Sequence, residues 1–453
     1  MNARSVAVVR TAVILIGCFR LVEASPRISK PEAVPESIYA RFDEAARDAC
    51  GDRAVKQPCA ILSVTSENLI GEVNLYSAVL RVGDGQFDLI RISRIVGEEH
   101  PGKAIDGDSA AFFIHGSGQT FVDSFVNSSA LQENPGMGLW LAEKGIDVWG
   151  IDLRFAFIPA DTTNFAFMAD WNFGTMVGDV LLATRFARHA RRTGGQRFGQ
   201  VHLIGRSLGA SIAYAVANSE AVLAEQDQDI GDLIPIETIY KLSPDDTTGT
   251  AVACSNETGH RTAIAAGTFH IDGRSAMAIG EAARTNPDAP SATPGLTNTE
   301  LALRTACANT FLPPFPYHMA ACAVGSNGIP TSGRFSTTRL IIDALANGIP
   351  YRSRGVMRDY FGIPCGANEY PYDDHLADIR IPSLYVGAAG GMGESGMYTH
   401  TLLGSSDKAT IYIQMLPPDQ GTSDFGHVES FIANDALSLV WRPVLDWILS
   451  HER

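Results

Sequence analysis

The stretch Val201-His202-Leu203-Ile204-Gly205-Arg206-Ser207-Leu208-Gly209 decides the fold. Its first four residues form a largely apolar run of buried-strand length, and the Ala-rich segment from Leu208 to Asn218 reads as a helix. A strand that becomes a helix within a few residues needs a sharp turn. Gly205 and Gly209 remove the side chains that would obstruct it. Ser207 then stands at the apex, where a strained turn presents its hydroxyl at the end of the strand. The bland alternative is a Gly-rich connection in which a serine caps the helix. A G-x-S-x-G string arises readily by chance, so its weight here comes from the strand before it and the helix after it.

Outward from that turn, apolar runs alternate between short β-branched segments and longer segments with helical spacing from about residue 70 onward, which is the pattern of an α/β protein built on a mostly parallel sheet. Eight strand windows stand out, at 76–82, 87–96, 110–115, 146–152, 201–205, 236–242, 383–387 and 410–416. Met176, Val180, Ala183 and Ala187 recur on one face of a helix packed against the sheet. Leu437, Val440, Trp441, Val444, Leu445 and Ile448 follow the same rule and predict a closing helix docked on the core.

The interval between the sixth and seventh windows is far too long for an ordinary connection. It reads as an inserted cap at 247–375, with a targeting segment at 1–24, an N-terminal extension at 25–68 and the core in two parts, 69–246 and 376–453. Both ends of the insertion emerge at the carboxyl edge of the sheet, so it is expected to cover the Ser207 turn. Its run Phe311-Leu312-Pro313-Pro314-Phe315-Pro316-Tyr317 is apolar enough either to line a substrate pocket or to form the cap's own small core.

The 453 residues are 45% hydrophobic and 19% charged, the composition of a folded globular chain. Thirty-five basic against 50 acidic residues give a net charge of −15 with no dense basic run, which argues against a nucleic-acid partner. There is no H-E-x-x-H, no Walker loop, no dinucleotide fingerprint and no His and carboxylate cluster at metal spacing, so neither cofactor nor metal is expected.

The strand, turn and helix around Ser207 resemble the α/β-hydrolase family over about residues 70–453, apart from the insertion. The resemblance implies an eight-stranded, mostly parallel sheet with the cap between strands six and seven, and a serine esterase or lipase chemistry. Ser207 matches the family nucleophile. His115-Gly116-Ser117-Gly118 looks like the family's His-Gly loop, so the amides of Ser117 and Leu208 would form the oxyanion hole. His115 itself reads as a structural histidine at a strand end. His427, in Asp424-Phe425-Gly426-His427 before the closing helix, matches the catalytic histidine. The acid departs from the pattern, because the loop after the seventh window carries only Glu394. The other candidates follow the sixth window, where Asp245 and Asp246 stand next to Pro244. The implied substrate is a small-molecule or lipid-like ester. An amidase, peptidase or acyl transferase would use the same residues, and a non-catalytic binding protein would keep the fold alone. The oligomeric state is not legible.

Arg4 and Arg10, the short apolar run 11–17 and Val22-Glu23-Ala24 read as a signal segment, which predicts a secreted or periplasmic protein. An alternative is a lipobox at Leu15-Ile16-Gly17-Cys18, with a lipid anchor on Cys18. Of seven cysteines, those beyond Cys18 are even in number and predict disulfides, and proximity favours Cys50 with Cys59 and Cys307 with Cys322. Buried free thiols are the competing reading.

Overall fold

Side chains that alternate along the strands sort into two apolar layers. Phe112 and Leu203 pack into one cluster, and their chain neighbours Phe113 and Ile204 into the other, as a period of two requires. The computed structural model describes residues 34–51, 59–105, 107–196, 199–308, 317–367 and 369–452. The strands are β1 (Ala60–Ile70), β2 (Val73–Arg81), β3 (Leu89–His100), β4 (Ala110–Ile114), β5 (Asp147–Asp152), β6 (Val201–Arg206), β7 (Ile230–Ile236), β8 (Ser383–Ala388) and β9 (Lys408–Ile413). Their order across the sheet is β1-β2-β3-β5-β4-β6-β7-β8-β9. Neighbours from β5 to β9 are parallel, and β1, β2 and β3 join antiparallel.

Two strand expectations need correction. Among the described residues the sheet has ten strands, not eight, because β1 forms largely within the expected N-terminal extension and the short strand Lys103–Ala104 pairs with β3. The sequence of β1 hides it: this edge strand leaves most of its residues partly or fully exposed, so it lacks a clean apolar alternation. The sixth strand begins six residues before its expected window. The strand is 230–236, and its Gly231, Asp232 and Pro235 weaken the local signal while parallel neighbours on both sides enforce it.

One layer carries α1 (Glu36–Gly51), α2 (Phe173–Thr193) and α3 (Leu208–Glu220). Met176, Val180, Ala183 and Ala187 are all buried in α2, and Phe42 of α1 meets Phe186 of α2 at 5.4 Å between ring centroids. Between β7 and β8 the chain forms α4 (Thr247–Ala265), α5 (Arg274–Thr285), α6 (Asn298–Cys307), α7 (Thr338–Ala346) and α8 (Arg354–Cys365). After β8 come α9 (Gly393–Thr401) and the closing α10 (Arg442–Ser450), where Val444 and Ile448 are buried as expected. Three disulfides join Cys50 to Cys59, Cys307 to Cys322 and Cys254 to Cys365. The first two are the pairs that proximity favours, and the third ties α4 to the end of α8. No helix among the described residues is long and apolar enough to cross a membrane. The targeting segment with Cys18, and Phe311, Leu312 and Phe315 of the aromatic run, lie outside the described residues.

Candidate active site

The turn between β6 and α3 puts Ser207 in a conformation that side chains avoid, with φ 54° and ψ −122°. Its glycines are a steric requirement. A Cβ on Gly209 would run into the carbonyl of Ile114, and one on Gly205 into the backbone of Gly209 and Ala210. The Ser207 carbonyl accepts from Ala210 N–H at 2.9 Å, its own N–H donates to the Ile236 carbonyl at 2.9 Å, and the residue stays partly exposed.

Ser207 opens into a cavity of about 280 Å³. Ser117 and Leu208 line it beside Ser207, and His427 and Tyr317 line it from the far side of the chain. Leu208 is the first residue of α3, where a helix N–H has no intrahelical acceptor. Ala276, Thr305, Ala344 and Tyr360 come from α5, α6, α7 and α8 respectively, so the segment between β7 and β8 supplies part of the wall. His115 is structural: its buried ring bonds the Gly116 carbonyl through Nδ1 at 2.7 Å and accepts from Leu153 N–H at Nε2.

His427 is buried and held on all sides. Its N–H donates to the His318 carbonyl at 3.0 Å, and Val428 N–H donates to the Met319 carbonyl at 2.8 Å. The flanking carboxylates fix the loop at both ends. Asp424 accepts from the N–H groups of Met415, Leu416 and Phe425. Glu429 accepts from Gly426 N–H, Ala321 N–H and the Ser336 hydroxyl, and burial pushes its carboxyl up to about 7.

The carboxylate that meets His427 is Glu237. Its Oε2 accepts from His427 Nδ1–H at 2.9 Å, while its two oxygens also accept from Ala388 N–H at 2.5 Å and Met392 N–H at 3.0 Å. Glu237 is fully buried and, like Ser207, has positive φ, here 57°. A Cβ on Gly391 would collide with this carboxylate, so glycine is required there. Burial holds the His427 imidazole below its usual pKa, opposed by the Glu237 hydrogen bond and charge and reinforced by the Arg206 charge. The ring is therefore neutral near pH 7, with its proton on Nδ1 and its lone pair on Nε2.

None of the acids expected from sequence reaches His427. Glu394 is exposed in the first turn of α9. Asp245 is exposed, and Asp246 caps α4 by accepting from Gly249 N–H at 2.8 Å. Glu394 was expected after the seventh window, whereas the carboxylate follows the sixth, the strand of the alternatives Asp245 and Asp246, and there the late window hides Glu237, the first residue after β7. Ending that strand at Pro235-Ile236 would have exposed it. A serine hydroxyl on a strained turn, a neutral imidazole and a buried carboxylate on its Nδ1 together make a set able to activate an oxygen nucleophile.

A strained serine turn after a parallel strand, at a topological crevice, defines the class as a doubly layered α/β protein that presents a partly exposed serine at the carboxyl edge of its sheet. Comparison with solved structures narrows it. A Sulfolobus solfataricus protein described as a candidate lipase superposes with a TM-score of 0.57 at 17% identity, covering 87% of this chain and 99% of its own. A monoglyceride lipase from Saccharomyces cerevisiae follows at TM-score 0.45 and 11% identity, over 88% of this chain and 98% of its own. A thermophilic esterase from Thermogutta terrifontis matches at 0.41 and 14%, over 82% and 97%. No protein-family model and no curated protein matches the sequence. The chain has the α/β-hydrolase fold.

Proposed function

We propose that the protein is a serine hydrolase that cleaves carboxylic esters. The Ser207 oxygen bonds the ester carbonyl carbon while its proton passes to Nε2 of His427, and the amides of Ser117 and Leu208 hold the negative oxygen. The bond to the alcohol then breaks, and the alcohol leaves with that proton. Water repeats the sequence on the acyl-enzyme: His427 takes its proton, the acid is released, and the proton returns to Ser207. Glu237 keeps Nδ1 protonated and stabilises the imidazolium. The segment between β7 and β8 acts as a cap over the cavity, and the protein works outside the reducing cytosol, where its disulfides persist.

The observation that carries this reading is the Glu237 to His427 hydrogen bond at 2.9 Å beside a cavity that also holds the strained Ser207. Ser207→Ala and His427→Ala should each lower kcat on p-nitrophenyl esters by on the order of 10⁴-fold with the fold intact, and Ser207→Ala should lose labelling by a fluorophosphonate. Either variant keeping a tenth of the activity, or wild-type protein that takes no label, overturns the proposal.

A further inference from the structure

The buried arginines among the described residues are Arg94, Arg154, Arg188, Arg191 and Arg206. The first four each meet an aspartate: Arg94 and Arg191 share Asp147, Arg154 bridges Asp88 and Asp179, and Arg188 meets Asp229. Arg206, beside the nucleophile and 6% exposed, meets no carboxylate. One of its Nη groups donates to Gln119 Oε1 at 2.6 Å, its plane lies over the Phe431 ring at 5.1 Å, and its buried Nε has no hydrogen-bond partner. Burial without an ion pair lowers its pKa to about 10, against which Tyr317 and Glu237 act only through space. A guanidinium desolvated this far without an acid is costly, and such groups gather where a ligand completes them.

A second arginine faces the same cavity. Arg352 lies in the short strand Tyr351–Ser353, which pairs with His270–Asp272, and its Nε too is buried without a partner. Among the described residues no ion pair holds it, and burial lowers its pKa as well. Arg206, Arg352 and Tyr317 line the same cavity, and the two guanidinium charges draw the Tyr317 hydroxyl's pKa down against the upward push of burial. The Tyr317 ring is 5.0 Å from that of His427. Among the described residues no aspartate or glutamate lines the cavity. The sequence between Ala308 and Tyr317, outside the described residues, contains none either. Glu237, whose charge acts on Arg206 through space, is committed to His427 and two amides. In a chain of net charge −15, this pocket of positive charge runs against the background.

We infer that the ester substrate carries, besides the ester itself, an oxyanion, a carboxylate or a phosphate, and that Arg206 and Arg352 bind it. A planar guanidinium presents paired N–H donors that suit either group, and in a water-poor cavity such a contact discriminates strongly against a neutral analogue. This inference rests on the hydrolase reading for its turnover tests, and on binding alone for its independent one.

Two substrate pairs separate the two oxyanions. Mono-p-nitrophenyl glutarate is compared with p-nitrophenyl pentanoate, and monobutyryl glycerol phosphate with monobutyryl glycerol. The anionic member of at least one pair should have kcat/KM at least tenfold above its neutral partner, chiefly through KM, and the pair that shows it identifies the group. In Arg352→Gln and Arg206→Gln that ratio should fall at least tenfold. A ratio below ten in both pairs for the wild type, or one that survives in Arg352→Gln, overturns the inference while leaving ester hydrolysis standing. Should Arg206→Gln fail to fold, Arg352→Gln decides alone. If no ester is turned over, calorimetry still decides: glutarate or inorganic phosphate should bind wild type at least tenfold tighter than Arg352→Gln, and equal binding refutes the anion site.

Discussion

Ser207 and Glu237 are the two non-glycine residues, among those described, that hold positive φ, and the N–H of Ser207 donates to the carbonyl of Ile236, the residue before Glu237, at 2.9 Å. The two strained turns thus sit at the carboxyl ends of neighbouring strands, β6 and β7, and are fastened to one another. Each strained residue costs about 1–3 kcal/mol and persists only where its surroundings dictate the conformation. Here they do so by different means. Close backbone approach at Gly205 and Gly209 leaves Ser207 no other path, and two amides with one imidazole hold the Glu237 carboxylate. The result places a hydroxyl and a carboxylate at the ends of adjacent strands, with His427 lining the Ser207 cavity and bonded to Glu237.

That relationship predicts which acid matters. Glu237→Gln should lower kcat by on the order of 10³ to 10⁴, because the amide no longer stabilises the imidazolium and can favour the wrong tautomer. Glu394→Gln, Asp245→Asn and Asp246→Asn should change it by no more than a few-fold. Steady-state kinetics on one chromogenic ester ranks the four, and a larger loss in Glu394→Gln than in Glu237→Gln would reject the assignment.

The pH dependence follows from the environment of His427. The group must be neutral to accept the serine proton, and burial lowers its pKa below 6.5. Activity should therefore be flat near pH 7 and fall as pH drops through a midpoint below about 6.5. Log kcat/KM against pH, measured on a neutral ester, tests it: a midpoint above 6.5 would mean that the Glu237 charge outweighs burial.

Much of this architecture was legible because it is local. The Ser207 turn announces itself through two glycines between an apolar run and an Ala-rich helix, and α2 through the spacing of Met176, Val180, Ala183 and Ala187. What failed was set by tertiary contact. Strand β7 contains Gly231, Asp232 and Pro235, and it is a strand because β6 and β8 pair with it, with Trp447 Nε1–H satisfying Asp232 at 2.9 Å. The more β-like window that followed, 236–242, is instead a buried connection containing Glu237, Thr238, Ile239 and Tyr240. One strand boundary therefore hid the acid. The anchoring of His427 by His318 and Met319, more than a hundred residues earlier, leaves no mark on local pattern at all.

The disulfides should contribute unequally. Cys254 and Cys365 are separated by 111 residues, Cys50 and Cys59 by 9. In the loop-entropy account, removing the longer link by Cys254→Ala with Cys365→Ala costs roughly 4 to 5 kcal/mol and the shorter link roughly 2 to 3. Urea unfolding of the two double variants measures the difference, and equal losses would show that native-state packing, not chain entropy, sets the effect. Thiol titration of the denatured, unreduced protein should find none of the cysteines at 50, 59, 254, 307, 322 and 365 free.

Tyr317 is the one member of the aromatic run whose position is described, and it belongs to a core layer shared with the sheet rather than to a separate core of the inserted segment. It packs into the apolar cluster with Tyr360 and Met357, and it lines the cavity with its ring 5.0 Å from that of His427. Truncation should consequently do two things. Tyr317→Ala removes a buried aromatic side chain and should lower stability by on the order of 3 kcal/mol. It also widens the cavity beside His427, so the ratio of kcat/KM for a long-chain over a short-chain p-nitrophenyl ester should rise several-fold. Chain-length profiles measured well below the melting temperature keep the two effects apart. A lower melting temperature with an unchanged profile would make Tyr317 a packing residue alone, whereas a shifted profile makes it a wall of the substrate pocket.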